Sequence, residues 1–167
     1  MALAVFATLS WVSLIPSLVG IRINTSPSLP LGLYLVTDKD SNLVEFCPPE
    51  PFASLALRRG YRSSGNCPDG GAPLLKPVVA RAGDVVEFNS CGVFVTGKLL
   101  SNSASLKFDT QGRPLQHWPF GRYKLAFGTV WVTSSYNQRS FDSRYLGPIS
   151  VDRIRARLTA AFTLPAN

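Results

Sequence analysis

The chain has 167 residues and a net charge of +7, a size that favours one domain with a hydrophobic core over two. Thirteen glycines, thirteen prolines and ten phenylalanines favour a turn-rich β protein over a helical bundle. The positive charge does not indicate nucleic-acid binding, because the basic residues are scattered and no recognition motif accompanies them. A basic surface that faces anionic lipid headgroups is the better interpretation.

The N-terminal segment, residues 1–21, has no ionisable side chain and is mostly apolar. As a helix it would span about 30 Å, the thickness of a bilayer's hydrocarbon core. Pro16 weakens this interpretation, although membrane helices tolerate a proline near an end. A cleaved signal peptide would carry basic residues before the apolar run, whereas the first basic residue here is Arg22. We predict an uncleaved membrane anchor over residues 1–21, with a cleaved signal as the alternative, and a folded domain over residues 22–167.

The anchor is followed by the segment Ser26-Pro27-Ser28-Leu29-Pro30. Proline restricts its own backbone and that of the preceding residue, so Ser28 would be held in a stiff, non-helical conformation near the membrane. A serine can attack an amide only if a base activates its hydroxyl. Taken alone, the segment is better explained as a linker; a base elsewhere in the chain would change that interpretation.

Short apolar runs separated by turn residues predict strands along the rest of the chain. Residues 50–71 are loop-like and can hold a helical turn over 52–58, and residues 98–122 form a polar excursion over the sheet. The predicted strands are residues 31–37, 43–46, 74–80, a hairpin of 85–88 with 93–96, 130–133, and a closing strand within 151–162. The predicted fold is a mainly β, antiparallel domain behind an N-terminal transmembrane helix.

Lys76 is the strongest candidate base. The sole histidine, His117, lies in a polar loop without a nucleophile or an orienting partner, so a Ser-His-Asp triad is unattractive. Lys76 lies inside the apolar run 74–80, where desolvation would lower the pKa of its ammonium group. A lysine in such a run more often reaches solvent at a sheet edge. Because Ser28 offers a nucleophile, however, a catalytic Ser/Lys pair explains the position of Lys76 as well as a lysine that reaches solvent.

The three cysteines lack metal-ligand spacing, and His117 has no partner ligand, so we predict neither a metal site nor a cofactor. If the domain lies outside the cytoplasm, a Cys47–Cys67 disulfide is plausible and would close a loop of about 20 residues. Cys91 would then be the odd thiol. Three free cysteines are the alternative.

A late block, residues 140–148, contains Asp142 and Arg144 two positions apart. In an extended segment this spacing places both side chains on one face, where they could form a charge-assisted pair. Taken alone, the block is better explained as a polar turn that ends at Gly147-Pro148.

Three blocks together resemble the type I signal peptidases, which are membrane-anchored Ser/Lys endopeptidases. They are NTSPSLPLGLY (24–34), LKPVVARAGD (75–84) and SFDSRY (140–145), and their order and spacing agree with the family. The likeness is greatest to the family's conjugative-transfer branch, the TraF type. Two departures stand out: Pro77 follows the lysine where arginine is common, and Ser134-Ser135-Tyr136 replaces the Gly-Asp-Asn of many members. The second departure fits the conjugative branch.

The resemblance implies a role for each residue. Ser28 would be the nucleophile and Lys76, uncharged, the general base. The backbone N–H of Ser28 and the hydroxyl of Ser26 would form the oxyanion hole. The substrate would bind as an added β-strand. Three residues would support the site: Ser140 by a hydrogen bond to Lys76, and Asp142 with Arg144 by bracing its floor.

The resemblance also implies a serine endopeptidase on the periplasmic side of a bacterial inner membrane. It would cleave an exported precursor, the conjugative pilin, with or without joining the pilin's ends into a circle. Its partners would be this precursor, the lipid bilayer and the conjugation apparatus, without nucleic acid or cofactor. The alternatives are a general type I signal peptidase and a non-catalytic, membrane-anchored assembly protein of the transfer apparatus. A self-cleaving Ser/Lys repressor would need a DNA-binding domain where the apolar N-terminus stands.

Overall fold

A computed structural model describes residues 20–164, which form mostly short strands. The strands are β1 (Ile21–Asn24), β2 (Gly32–Thr37), β3 (Leu43–Phe46), β4 (Leu74–Arg81), β5 (Val85–Asn89), β6 (Gly92–Val95), β7 (Lys98–Leu99), β8 (Gly121–Lys124), β9 (Thr129–Val132), β10 (Ile149–Ser150) and β11 (Ile154–Thr163). The helices are α1 (Phe52–Arg58), α2 (Ser143–Leu146) and a 3₁₀ turn (Val151–Arg153). The predicted mainly β class is confirmed.

Most of the predicted anchor lies outside the described residues. Its last residue, Ile21, begins β1 instead. Within residues 20–164, no helix is both long and apolar enough to cross a bilayer.

The strands form two antiparallel sheets. The larger has the order β1-β2-β11-β3-β4-β9-β10, and the smaller has the order β7-β6-β5-β8. Arg22 of β1 forms an ion pair with Glu45 of β3, although two strands lie between them. Strands three places apart in a flat sheet are separated by about 14 Å. The contact therefore reflects a strong curl of the larger sheet, which turns its edge strand β1 back toward β3.

Strand β4 lies between two hydrophobic cores. Val78 packs in one core with Val44 of β3 and Val132 of β9. Ala80 packs in the other with Trp131 of β9 and residues of the smaller sheet. Burial alternates along β4, and Leu74, Lys76 and Val78 share the face of the first core. The register shifts between Val78 and Ala80, so that Ala80, opposite Trp131, faces the second core. Lys76 is therefore buried because it occupies a core-facing position of an alternating strand.

The structure differs from the sequence-based expectations in four places, one of which is β10, a strand of two residues that is too short to show a strand pattern. β1 was not predicted, because its residues follow the apolar N-terminus without a turn signal. β7 and β8 lie within or at the end of the polar excursion, where charged residues such as Arg122 and Lys124 hide the strand pattern. Residues 143–146 form helix α2 rather than an extended segment, because the Asp142 side chain accepts a hydrogen bond from the Arg144 backbone N–H and caps the helix.

Pro77 does not disrupt the pairing of β4. It lies opposite Leu43, the first residue of β3, so the missing donor falls at the end of that ladder. The next residue, Val78, donates its N–H to the carbonyl of Asn42 at 2.6 Å, and the Pro77 carbonyl accepts from the Thr133 N–H at 3.2 Å. The strand that carries Lys76 is therefore continuous.

Candidate active site

One cleft of about 720 Å³ brings the separate sequence blocks together. Ser26, Ser28, Lys76 and Ser140 all line it. The remaining two predicted residues, Asp142 and Arg144, lie behind the wall and are completely buried. The curl of the larger sheet brings these residues into one cleft, because the segment that follows β1 faces β4.

Asn24 holds the segment that contains the candidate nucleophile. Its side-chain amide nitrogen donates to the carbonyls of Ser26 at 2.9 Å, Leu29 at 3.2 Å and Pro30 at 3.0 Å. Its Oδ1 accepts from the Ser26 N–H at 3.2 Å. Tyr34 adds a hydrogen bond from its hydroxyl to the Pro30 carbonyl at 2.7 Å. The segment is thus a fixed loop rather than a free linker.

Sequence reasoning had not singled out Asn24. The available signal was an Asn just before a Ser/Pro-rich loop, where Asn side chains commonly bond to nearby backbone groups.

The hydroxyls of Ser26 and Ser28 face each other within this loop. Their Oγ atoms are 2.8 Å apart and share a hydrogen bond. Ser28 is buried, whereas Ser26 is exposed. The hydrogen-bond partner of the Ser28 hydroxyl in this structure is therefore Ser26 rather than Lys76.

Lys76 is a buried lysine at the floor of the cleft, with 4% of its surface exposed. Burial lowers the pKa of its ammonium group from 10.5 to about 8; Asp142 opposes this change and Arg144 adds to it. At pH 7 a pKa of about 8 leaves roughly one lysine in ten uncharged, about 300 times the fraction expected at 10.5. The site thus supplies an amine that can accept a proton near neutral pH.

Ser140 has a buried hydroxyl that lines the cleft and has no hydrogen-bond partner within residues 20–164. The predicted hydrogen bond from Ser140 to Lys76 is therefore not formed in this structure.

Asp142 and Arg144 form a bidentate ion pair behind the cleft. Arg144 Nε donates to Asp142 Oδ1 at 2.8 Å, and Nη2 donates to Oδ2 at 2.9 Å. The remaining guanidinium hydrogens bind backbone carbonyls, including that of Ser140 at 2.9 Å. Nη1 donates to the carbonyls of Asn102, Ala104 and Gln138. Buried charges that are paired and saturated in this way hold the surrounding backbone.

A disulfide joins Cys47 to Cys67. The loop it closes contains α1 and the cleft-lining residues Tyr61 and Arg62. Cys91 is an exposed free thiol. Within residues 20–164, no group of His, Cys, Asp and Glu side chains is arranged to hold a metal ion.

The chain matches the family described as signal peptidase, peptidase S26, over residues 1–163. Plasmid transfer protein TraF of Escherichia coli is 38% identical over 141 residues, which cover 82% of this chain and 80% of that protein. A probable conjugal transfer protein TraF of Sinorhizobium fredii is 42% identical over 136 residues, 78% of this chain and 70% of that protein.

Among solved structures, signal peptidase I of Enterococcus faecalis V583 is similar at 15% identity with a TM-score of 0.40. The match covers 74% of this chain and 99% of the other.

Proposed function

The chain belongs to the signal peptidase S26 family and to its TraF branch, and from this premise we propose that it is a membrane-bound serine endopeptidase. Its substrate is an exported precursor, the conjugative pilin, which it cleaves on the periplasmic side of the inner membrane. One observation carries the proposal: Ser28 and Lys76, distant in sequence, line the same cleft, and burial lowers the pKa of Lys76 to about 8.

Uncharged Lys76 takes the proton of the Ser28 hydroxyl as Ser28 Oγ attacks the carbonyl carbon of the scissile bond. The tetrahedral oxyanion receives hydrogen bonds from the Ser28 N–H and the Ser26 hydroxyl. The bond to the leaving amine breaks as protonated Lys76 donates its proton to that nitrogen. Water, activated by the now neutral Lys76, hydrolyses the acyl-enzyme; in a cyclising reaction an amine replaces water.

This mechanism requires a rearrangement of the two hydroxyls. In this structure they bond to each other. Substrate binding must turn the Ser28 hydroxyl toward Lys76 and free the Ser26 hydroxyl for the oxyanion. Both are rotations of a small side chain about one bond, so the backbone of the loop stays in place.

The relatives' names support a substrate within conjugal transfer, because they are called plasmid or conjugal transfer proteins. A general signal peptidase is the enzymatic alternative. A non-catalytic assembly protein is the other alternative, but it has no use for a buried lysine beside a serine loop. Complementation of a conditional signal peptidase mutant distinguishes a general signal peptidase from the proposed enzyme. Cleavage of the pilin precursor distinguishes the proposed enzyme from a non-catalytic protein.

The decisive experiment is co-expression of the full chain with a conjugative pilin precursor, followed by intact-mass measurement of the pilin. We expect the wild-type protein to yield a cleaved product, linear or circular, and the Ser28→Ala variant to leave the precursor intact. Ser101→Ala, an exposed serine outside this cleft, is the matched control and should process normally. Cleavage of the precursor by the Ser28→Ala variant would refute the assignment of Ser28 as the nucleophile. A precursor left intact by the wild-type protein would refute the pilin as the substrate.

A further inference from the structure

We propose that Ser134 is a positioning residue that holds the backbone of Ser28 in its reactive orientation. The proposal rests on Ser28 being the nucleophile. Ser134 is completely buried and does not line the cleft, so it touches no substrate. Its effect on the reaction passes through the carbonyl of Ser28, which accepts a hydrogen bond from the Ser134 hydroxyl across 106 positions of sequence.

The direction of this hydrogen bond is fixed by the other partners of the hydroxyl. Ser134 Oγ accepts from the backbone N–H of Tyr136 at 3.1 Å and of Asn137 at 3.4 Å. A serine hydroxyl has two acceptor lone pairs and one proton. With both lone pairs engaged, the single proton is left to point at Ser28. The hydroxyl is therefore saturated and cannot rotate away without losing a buried hydrogen bond.

Ser134 is itself tied to the buried ion pair. Its backbone N–H donates to Asp142 Oδ2 at 3.1 Å, and the same oxygen accepts from Arg144 Nη2 at 2.9 Å. A continuous chain of hydrogen bonds thus runs from Arg144 through Asp142 and Ser134 to Ser28. The ion pair, which lies outside the cleft, reaches the nucleophile by this path.

Holding the Ser28 carbonyl restricts rotation about the Cα–C bond of Ser28. On the other side, Asn24 holds the backbone N–H and carbonyl of Ser26. The N–H of Ser28, which would donate a hydrogen bond to the oxyanion, lies between these two anchors. A displacement of about 1 Å in a reacting group can lower a rate about 100-fold.

The test removes the hydroxyl and measures acylation directly. Ser134→Ala is compared with Ser135→Ala, an exposed serine one position away. The full chain in detergent is mixed with p-nitrophenyl acetate, and the burst rate and the mass of acylated protein are recorded per folded molecule. We expect Ser134→Ala to acylate about 10- to 100-fold more slowly, with an unchanged KM for the ester, and Ser135→Ala to match wild type.

A wild-type burst rate in Ser134→Ala would overturn the proposal, as would a loss that only follows the folded fraction or appears only in KM. If the alanine variant does not fold, Ser134→Cys keeps nearly the same shape with a weaker donor. It should show an intermediate rate, and an unchanged rate would again overturn the proposal. Absence of a burst in wild type, or its persistence in Ser28→Ala, would instead contradict the assignment of Ser28.

Discussion

Replacing Lys76 by methionine should make the protein more stable while abolishing its activity. Burial moves the pKa of Lys76 from 10.5 to about 8. A displacement of this size corresponds to about 3 kcal/mol by which folding disfavours the protonated lysine. Methionine has a similar length and no charge to desolvate, so Lys76→Met should raise the free energy of unfolding by about 3 kcal/mol at pH 7.

The gain should depend on pH in a defined window. Below about pH 8 the lysine is protonated in both the folded and the unfolded state, so the full penalty applies. Between about 8 and 10.5 only the unfolded state holds the proton, and wild-type stability rises with pH relative to the variant. Above 10.5 the amine is neutral in both states and the penalty disappears. The advantage of Lys76→Met should therefore be largest at pH 6–7 and nearly absent at pH 10.5.

Urea denaturation followed by tryptophan fluorescence measures this difference, since Trp131 lies in the core. The matched control is Lys98→Met at an exposed lysine, for which a change within about 0.5 kcal/mol is expected. A Lys76→Met variant no more stable than wild type at pH 7, or a gain that does not shrink between pH 8 and 10.5, would refute the burial argument. Retained peptidase activity in the Lys76→Met variant would refute the assignment of Lys76 as the general base.

Three further outcomes follow from the site. The pilin-cleavage rate should rise with pH and level off above about 8 as Lys76 loses its proton, and Lys76→Arg should be inactive at every pH, since an arginine stays protonated. Asn24→Asp keeps the acceptor oxygen but loses three donated hydrogen bonds, so kcat should fall about 10-fold or more; wild-type kcat would show that the loop does not need Asn24. Joint replacement of Cys47 and Cys67 by alanine should lower the free energy of unfolding in urea by about 3 kcal/mol. The same variant should have a higher KM, because the loop that the disulfide closes forms one wall of the cleft. An unchanged KM would show that this loop does not contribute to substrate binding.

Much of the fold could be predicted from local patterns. The apolar runs at 31–37, 43–46 and 130–133 correspond to β2, β3 and β9, and the expected helical turn at 52–58 is α1. These segments carry their own start and stop signals in Gly, Pro and Asp. β8 could not be predicted because half of its residues are charged and its strand conformation depends on pairing with β5.

The site could be predicted only in outline. Ser28 was singled out by its flanking prolines and Lys76 by its apolar run, whereas Asp142 and Arg144 were singled out by their spacing and by the family resemblance. Ser134 was visible only as a departure from a family pattern, since its role depends on a carbonyl more than a hundred positions away. The meeting of β1 with β3 requires the curl of a seven-stranded sheet, and no local pattern encodes that curl.

The stability of β1 sets the fraction of molecules in which the Ser28 loop is fully held. Among residues 20–164, this four-residue edge strand has one hydrogen-bonded neighbour, β2, and one ion pair, from Arg22 to Glu45. Short edge strands open locally at much lower free energy than the core of a sheet. Each such opening removes the Asn24 hydrogen bonds that hold the Ser26 end of the loop, while Ser134 still holds the Ser28 carbonyl and Lys76 stays buried in β4. The fraction of competent enzyme is then a local folding equilibrium, and hydrogen exchange of the β1 amides would report it residue by residue.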